Sequence, residues 1–124
     1  MRELIDCHIH TARCGHATGV ASEYVQAAEK QGLTAIVICD HLPLPDGYAP
    51  QNCYAMPLDE IEPYVSEVLE AAATSRVDVV LGAEADWIPE REAETAAIRD
   101  RARRAGIRVM LGSVHFVDEW AFDD

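Results

Sequence analysis

The 124-residue sequence has no apolar run long enough to cross a membrane, and its N-terminus lacks the apolar segment of a signal peptide. These two absences favour a cytoplasmic protein without a membrane partner. Basic residues are also few, since 10 Lys and Arg against 22 Asp and Glu give a net charge of −12. Because no stripe of lysine or arginine offsets this charge, the sequence argues against nucleic acid as a partner.

Cysteine spacing provides neither a disulfide framework nor paired metal ligands. The sequence contains four cysteines but no C-x-x-C pair, and 49% of its residues are hydrophobic. An apolar core in one domain is therefore feasible, and we expect the thiols to be reduced. Cys14 lies two residues from His16 and could join a metal site, although a small cysteine is more often simply buried.

Four apolar segments alternate with three amphipathic ones. We predict strands at 3–7, 34–39, 77–83 and 107–111, and helices at 22–31, 58–75 and 90–105. Ser22 is a candidate N-cap, and Gly32 and Gly106 follow two helix ends. Strands joined by helical crossovers pair in parallel, so the predicted class is α/β with four parallel strands. The second helix has this apolar stripe: Leu58, Ile61, Val65, Val68, Leu69 and Ala72.

All five histidines fall at or just beyond the carboxyl ends of predicted strands or on the loops that follow: His8, His10, His16, His41 and His115. Glu84 follows the third strand. His8 and His10 share one face of a strand because side chains alternate with period two. The carboxyl edge of a parallel sheet is where ligands bind. Imidazoles with a carboxylate suit zinc, manganese or iron better than calcium, and one carboxylate could bridge two ions.

Each of the other polar residues near these positions has two possible roles. Asp6 and Asp40 could orient a neighbouring histidine or simply begin a turn. Asp86 could be a ligand or a solvated loop residue. Arg13 could contact a phosphate or lie on the exposed surface. We expect the large side chains of Trp87 and Trp120 to pack against residues near them in the chain.

Four ordered segments resemble the motifs of the PHP (polymerase and histidinol phosphatase) metallo-phosphoesterases: 6–11 with His16, 40–41, 82–84 and 113–116. The loop 13–17 and the tail 112–123 look like the histidinol-phosphatase branch. The resemblance implies a distorted TIM-like (βα) barrel and a phosphomonoester hydrolase with a trinuclear centre of divalent metal ions. The implied substrate is L-histidinol phosphate, in histidine biosynthesis. The alternatives are another PHP phosphoesterase acting on a nucleotide or other small phosphoester, or an inactive metal-binding fragment.

By the same resemblance, His8, His10 and Glu84 hold one metal, and Glu84 bridges to a second metal that His115 binds. His16 and His41 hold the third.

A barrel of this type needs about 250 residues. We therefore expect residues 1–124 to be the N-terminal half of a PHP domain, with the C-terminal half absent. Phosphate-binding arginines and the leaving-group acid are expected in that other half, so the catalytic groups remain unassigned. Open strand edges are expected to favour self-association.

Overall fold

The computed structural model describes residues 3–50, 53–118 and 120–121. Its centre is a parallel sheet in the order β1-β2-β3-β4, with β1 at Ile5–Ile9, β2 at Ala35–Ile38, β3 at Asp78–Asp86 and β4 at Val109–Ser113. Three helices alternate with these strands: α1 at Ala21–Gln31, α2 at Ile61–Ala73 and α3 at Glu92–Ala105. The predicted α/β class with four parallel strands is confirmed, and the sheet curls as half of a barrel.

Element boundaries differ from the sequence prediction in ways that local chemistry explains. The second predicted helix begins as a 3₁₀ turn, Leu58–Glu60, and Pro63 falls in the first turn of α2, where its missing N–H costs nothing. The assignment of Ser22 as N-cap is wrong, because Val20 precedes the helix and its N–H donates to the Glu23 carboxylate at 2.8 Å. Strand β3 extends to Asp86 because its last residues pair with β4.

The core lies between the sheet and the helices. Ile36 and Ile38 of β2 are fully buried, and they pack in one cluster with Val25 of α1 and with Val65 and Val68 of α2. Burial of such side chains contributes about 25 cal/mol per Å² of apolar surface removed from water. The predicted apolar stripe of the second helix is therefore confirmed in part, for Ile61, Val65 and Val68.

Four large apolar residues do not pack as expected. Leu58 and Leu69 are 49% and 54% exposed, since Leu58 precedes α2 and Leu69 is turned away from the sheet beside the buried Val68. Trp87 and Trp120 are 45% and 61% exposed, so the prediction that they pack locally is wrong. Trp87 lies past the end of β3 and lines a groove beside the open β4 edge.

Strands β2 and β3 separate near the predicted site, and Tyr64 of α2 fills the junction. Its buried hydroxyl lies 2.9 Å and 2.7 Å from the carbonyl oxygens of Ile38 and Gly82, and it accepts from the backbone N–H of Asp40 at 3.3 Å. Beyond this junction a single bridge joins His41 to Glu84. The tyrosine thus fixes the backbone from which two predicted site residues project.

A short antiparallel pair, β5 at Phe116–Val117 and β6 at Trp120–Ala121, follows β4 and was not predicted. The two outer strands of the half-barrel, β1 and β4, have no strand on their outer side among the described residues. Leu4, Ile5 and Val109 are exposed along these edges. Within the described ranges, no helix has both the length and the apolar character needed to span a membrane.

Candidate metal centre

Histidines at the end of β1 form the first side of the site. A register irregularity separates Asp6 from Ile9 in the pairing of β1 with β2. His8 and His10 project to the same side, and their Nε2 atoms lie 3.0 Å apart. The His8 side chain is 53% exposed, whereas that of His10 is 13% exposed. His8 therefore lies at the exposed rim of the site, and His10 lies further inside.

Glu84 lies at the centre of the cluster. Its Oε2 atom is 2.9 Å from His8 Nε2, 3.2 Å from His10 Nε2 and 3.7 Å from His41 Nδ1. Its Oε1 atom is 3.6 Å from His115 Nε2. Burial alone would raise the pKa of Glu84, but hydrogen bonds to His10 and His8 outweigh it and lower the pKa to about 2. The carboxylate is therefore ionised at neutral pH.

His41 is buried, and the exposed His16 faces it from the first loop. His16 Nδ1 and His41 Nε2 lie 2.9 Å apart, and the rings of His10 and His41 stack with centroids 4.4 Å apart. Burial, opposed by Glu84 and reinforced by the other imidazoles, lowers the pKa of His41 to about 4. The ring is therefore neutral at physiological pH, the form in which histidine binds metal.

These contacts fit divalent metal ions. Two pairs of imidazole nitrogens face each other at about 3 Å, and the Nε2 atoms of His8 and His10 both also face Glu84 Oε2. Among the described residues, His41 Nδ1 is the buried side-chain nitrogen that lacks a hydrogen-bond partner. Three groups bring their ligand atoms within 4.8 Å of one another: His8-His10-Glu84, His10-His16-His41 and His41-Asp86-His115. All six residues predicted as ligands thus converge, and ligand roles for them remain a prediction.

Asp40 lies behind His10 and is fully buried. It accepts hydrogen bonds from the backbone N–H and hydroxyl of Thr11, both at 2.5 Å, and from the Cys14 thiol at 3.2 Å. Its carboxylate is 4.0 Å from His10 Nδ1, and the Cys14 sulfur is 3.8 Å from the same atom. At 4.0 Å its carboxylate is too far from His10 Nδ1 for a hydrogen bond, so of its two interpretations a structural role in the first loop fits this geometry better.

Cys14 belongs to a further group of possible ligands with His10 and Asp40. Burial, reinforced by the nearby Asp40 carboxylate, raises the pKa of its thiol to about 11. The thiol donates toward the Asp40 carboxylate at 3.2 Å and lies 3.6 Å from the Thr11 carbonyl oxygen, which fits the simpler interpretation of a buried cysteine. All four cysteines are free, as predicted.

Asp6 and Arg13 have local structural roles. The Asp6 carboxylate accepts a hydrogen bond from the His8 backbone N–H at 3.1 Å, which fits a turn. Arg13 forms ion pairs with Glu60 and Glu67, and Glu67 also accepts from the N–H of Ala21 at 2.9 Å. Arg13 therefore ties the first loop to α1 and α2, and it is neither an exposed residue nor directed at the site.

Tyr54 lies in the site and was not foreseen, whereas Asp86 had two interpretations. The ring of Tyr54 stacks on His16 with centroids 4.3 Å apart and planes 9° apart. Nothing in the sequence around this tyrosine, in the loop between β2 and α2, signals such a contact. Asp86 ends β3 as a buried residue and lies 2.6 Å from His115 Nδ1. The interpretation of Asp86 as a solvated loop residue is therefore wrong.

The family model of the PHP domain matches residues 6–124, so the chain belongs to the PHP family, as the four motifs indicated. A protein of Deinococcus radiodurans named as a probable histidinol-phosphatase is 37% identical over 127 residues. That alignment covers all of this chain and 46% of the other protein.

Two solved structures share the fold. A candidate histidinol phosphatase of Listeria monocytogenes superposes with a TM-score of 0.79 at 21% identity, over 91% of this chain and 45% of the other. Histidinol phosphate phosphatase of Lactococcus lactis, crystallised with zinc, L-histidinol and phosphate, gives 0.75 at 20% identity, over 96% and 43%. The chain spans about half the length of these relatives.

Proposed function

We propose that the chain is the metal-binding half of a metal-dependent phosphomonoester hydrolase, and that the whole protein hydrolyses L-histidinol phosphate in histidine biosynthesis. The convergence of four imidazoles on the Glu84 carboxylate carries this proposal. Family membership and the Deinococcus relative support the reaction class. The Lactococcus structure, with zinc, L-histidinol and phosphate, supports the substrate. Such a biosynthetic role fits a cytoplasmic location.

In this proposal the chain holds three divalent cations. His8, His10 and Glu84 hold one, Glu84 and His115 a second, and His16 and His41 a third. Cations held by these residues would supply charge neutralisation of phosphate oxygens and a lowered pKa of a bound water. The ionised Glu84 and the neutral His41 are already in the protonation states that metal binding requires, so binding at neutral pH needs no proton release from either residue.

A cavity of about 380 Å³ beside His8, His10 and His16 offers room for a small substrate. Asp6 lines the same cavity. An anionic phosphate would approach a chain of net charge −12 only where cations reverse the local field. The cavity therefore suits a small phosphate ester that carries a positive group, which favours an amino-alcohol phosphate over a nucleotide.

The open edges of β1 and β4 affect how the isolated chain is expected to behave. Exposed apolar residues on strands without an outer neighbour pair readily with further chain. We expect these edges to contact the remainder of a PHP barrel, or a second copy when the 124-residue chain is isolated. Because the chain spans about half the length of its relatives, metal binding without turnover is the expected behaviour of the isolated chain.

A substrate panel on the whole protein tests the proposal. Phosphate release is measured with added zinc or manganese on L-histidinol phosphate, a nucleoside monophosphate and a sugar phosphate. Histidinol phosphate should have the highest kcat/KM, and Glu84→Gln should abolish release. Preference for the nucleotide would instead support another PHP phosphoesterase. Metal binding with no hydrolysis of any substrate would contradict the enzymatic function.

A further inference from the structure

Asp86 is a buried carboxylate to which the proposed ligand set gives no role. It ends β3, pairs in register with Ser113 of β4, and its side chain is 3% exposed. Burying a carboxylate is costly unless hydrogen bonds satisfy it. Its partners therefore indicate what the residue does.

One oxygen of Asp86 is surrounded by donors from the chain around His115. The Oδ1 atom lies 2.6 Å from Nδ1 of His115, 3.3 Å from its backbone nitrogen and 3.1 Å from the hydroxyl of Ser113. An ionised carboxylate can only accept hydrogen bonds. Because the backbone N–H of His115 can only donate, Oδ1 is an acceptor here, so in this contact Nδ1 of His115 carries the hydrogen and the ring can present Nε2 as a metal ligand.

The other ring nitrogen of His115, Nε2, faces the cluster. His115 Nε2 lies 3.6 Å from Oε1 of Glu84, on the side of that carboxylate opposite the His8 and His10 contacts. We propose that Asp86 is a positioning residue that fixes the Nδ1–H tautomer and the ring orientation of His115, so that Nε2 is presented to a divalent cation beside Glu84. This inference rests on the proposed metal centre.

The competing interpretation makes Asp86 itself a ligand, because its carboxylate lies within 4.8 Å of ligand atoms of His41 and His115. Its hydrogen bonds count against that role. Oδ1 already accepts three donors, and Oδ2 is 3.9 Å from His41 Nδ1, which itself lies next to Glu84. A carboxylate that receives the second N–H of a ligand histidine is a recurring arrangement in metal sites.

Three variants separate these interpretations. Asp86→Ala removes the acceptor, and Asp86→Asn keeps an amide oxygen that can still accept from Nδ1–H. Ser113→Ala is the matched control, because it removes one donor to Asp86 without touching the His115 ring. Two readouts are measured: the tautomer of His115 in metal-free, ¹⁵N-histidine-labelled protein by NMR, and zinc affinity by competition with a chromophoric chelator.

Asp86→Ala should shift His115 away from the Nδ1–H tautomer and weaken zinc binding about 10-fold to 100-fold. Asp86→Asn should keep the tautomer and lose less affinity, and Ser113→Ala should stay close to wild type. An unchanged tautomer in Asp86→Ala would overturn the inference, whatever happens to zinc. An equal loss of zinc affinity in the Ala and Asn variants would also overturn it, because replacing a direct zinc ligand would weaken zinc binding equally in both variants.

The tautomer of His115 is measured in metal-free protein. Its result therefore tests the role of Asp86 independently of the proposed function. If wild-type protein binds no zinc, the metal centre is wrong, while the NMR result still decides whether Asp86 positions His115. Should Asp86→Ala fail to fold, Asp86→Asn alone decides: a His115 ring that leaves the Nδ1–H form in this variant would contradict the role assigned to the acceptor.

Discussion

Glu84 and His8 meet across the end of the sheet, with Oε2 and Nε2 2.9 Å apart although 76 residues separate them in the chain. They belong to β3 and to β1, the two strands that flank β2. The parallel order of the strands therefore brings together groups that the sequence keeps far apart. Because the same carboxylate also contacts His10 and faces His41 and His115, it is the centre on which the proposed metals depend.

Replacing Glu84 by Gln should remove most zinc binding while keeping the fold. The amide matches the carboxylate in size but has no charge and cannot bridge cations. Added zinc should raise the Tm of wild-type protein by several degrees, since a ligand of the folded state stabilises it. The shift should vanish in Glu84→Gln and persist in Glu70→Gln, an exposed control on α2. An equal shift in all three proteins would contradict a central role for Glu84.

Gly82→Ala should be among the most damaging small substitutions. A Cβ there would lie 2.8 Å from Val37 Cγ1 and 3.2 Å from the Ile38 carbonyl oxygen. Overpacking of this kind costs about 1–3 kcal/mol, to be measured as a loss of unfolding free energy in urea. Gly112→Ala is the matched strand control, because a Cβ there meets nothing within 4 Å. Comparable losses in both variants would contradict the close packing at Gly82.

Cysteine alkylation should separate exposed from buried thiols. Cys7 is exposed, whereas burial raises the pKa of Cys14 to about 11 and that of Cys39 to about 12. Because the thiolate is the reactive form and a raised pKa delays its formation, Cys14 and Cys39 should be far slower than Cys7 at pH 8. The rate at Cys14 should rise with pH up to about 11, and the rate at Cys39 up to about 12. Mass spectrometry after iodoacetamide measures this, and Cys14 modified as fast as Cys7 would contradict it.

The isolated 124-residue chain should self-associate through its open edges. Ile5 and Val109, on β1 and β4, are 54% and 37% exposed, and a lysine on an edge strand opposes pairing. Light scattering after size exclusion should show dimers or larger species, and Ile5→Lys with Val109→Lys should shift them toward monomer. Leu69→Lys is the control, because Leu69 is equally exposed but lies on α2. A monomeric wild-type chain would contradict the prediction.

The alternation of apolar and amphipathic segments along the chain was sufficient to predict the parallel sheet and the edge at which the histidines lie. His41 and His115 each follow an apolar strand, and parallel strands place their carboxyl ends together. The contact between Tyr54 and His16 could not be foreseen, because a loop's path depends on tertiary packing. The hydrogen bond from His115 to Asp86 depends on the register of β3 against β4, which no local pattern specifies. The exposure of Trp87 likewise follows from the open edge of the sheet.

Metal content per chain in protein purified without added metal or chelator is the most direct test of the metal centre. Mass spectrometry of wild type should find zinc, manganese or iron in at least stoichiometric amount. His8→Ala should lose metal, while an exposed control such as Glu70→Gln should retain it. A wild-type chain that holds no metal, and binds none when zinc is supplied, would contradict the proposed metal centre.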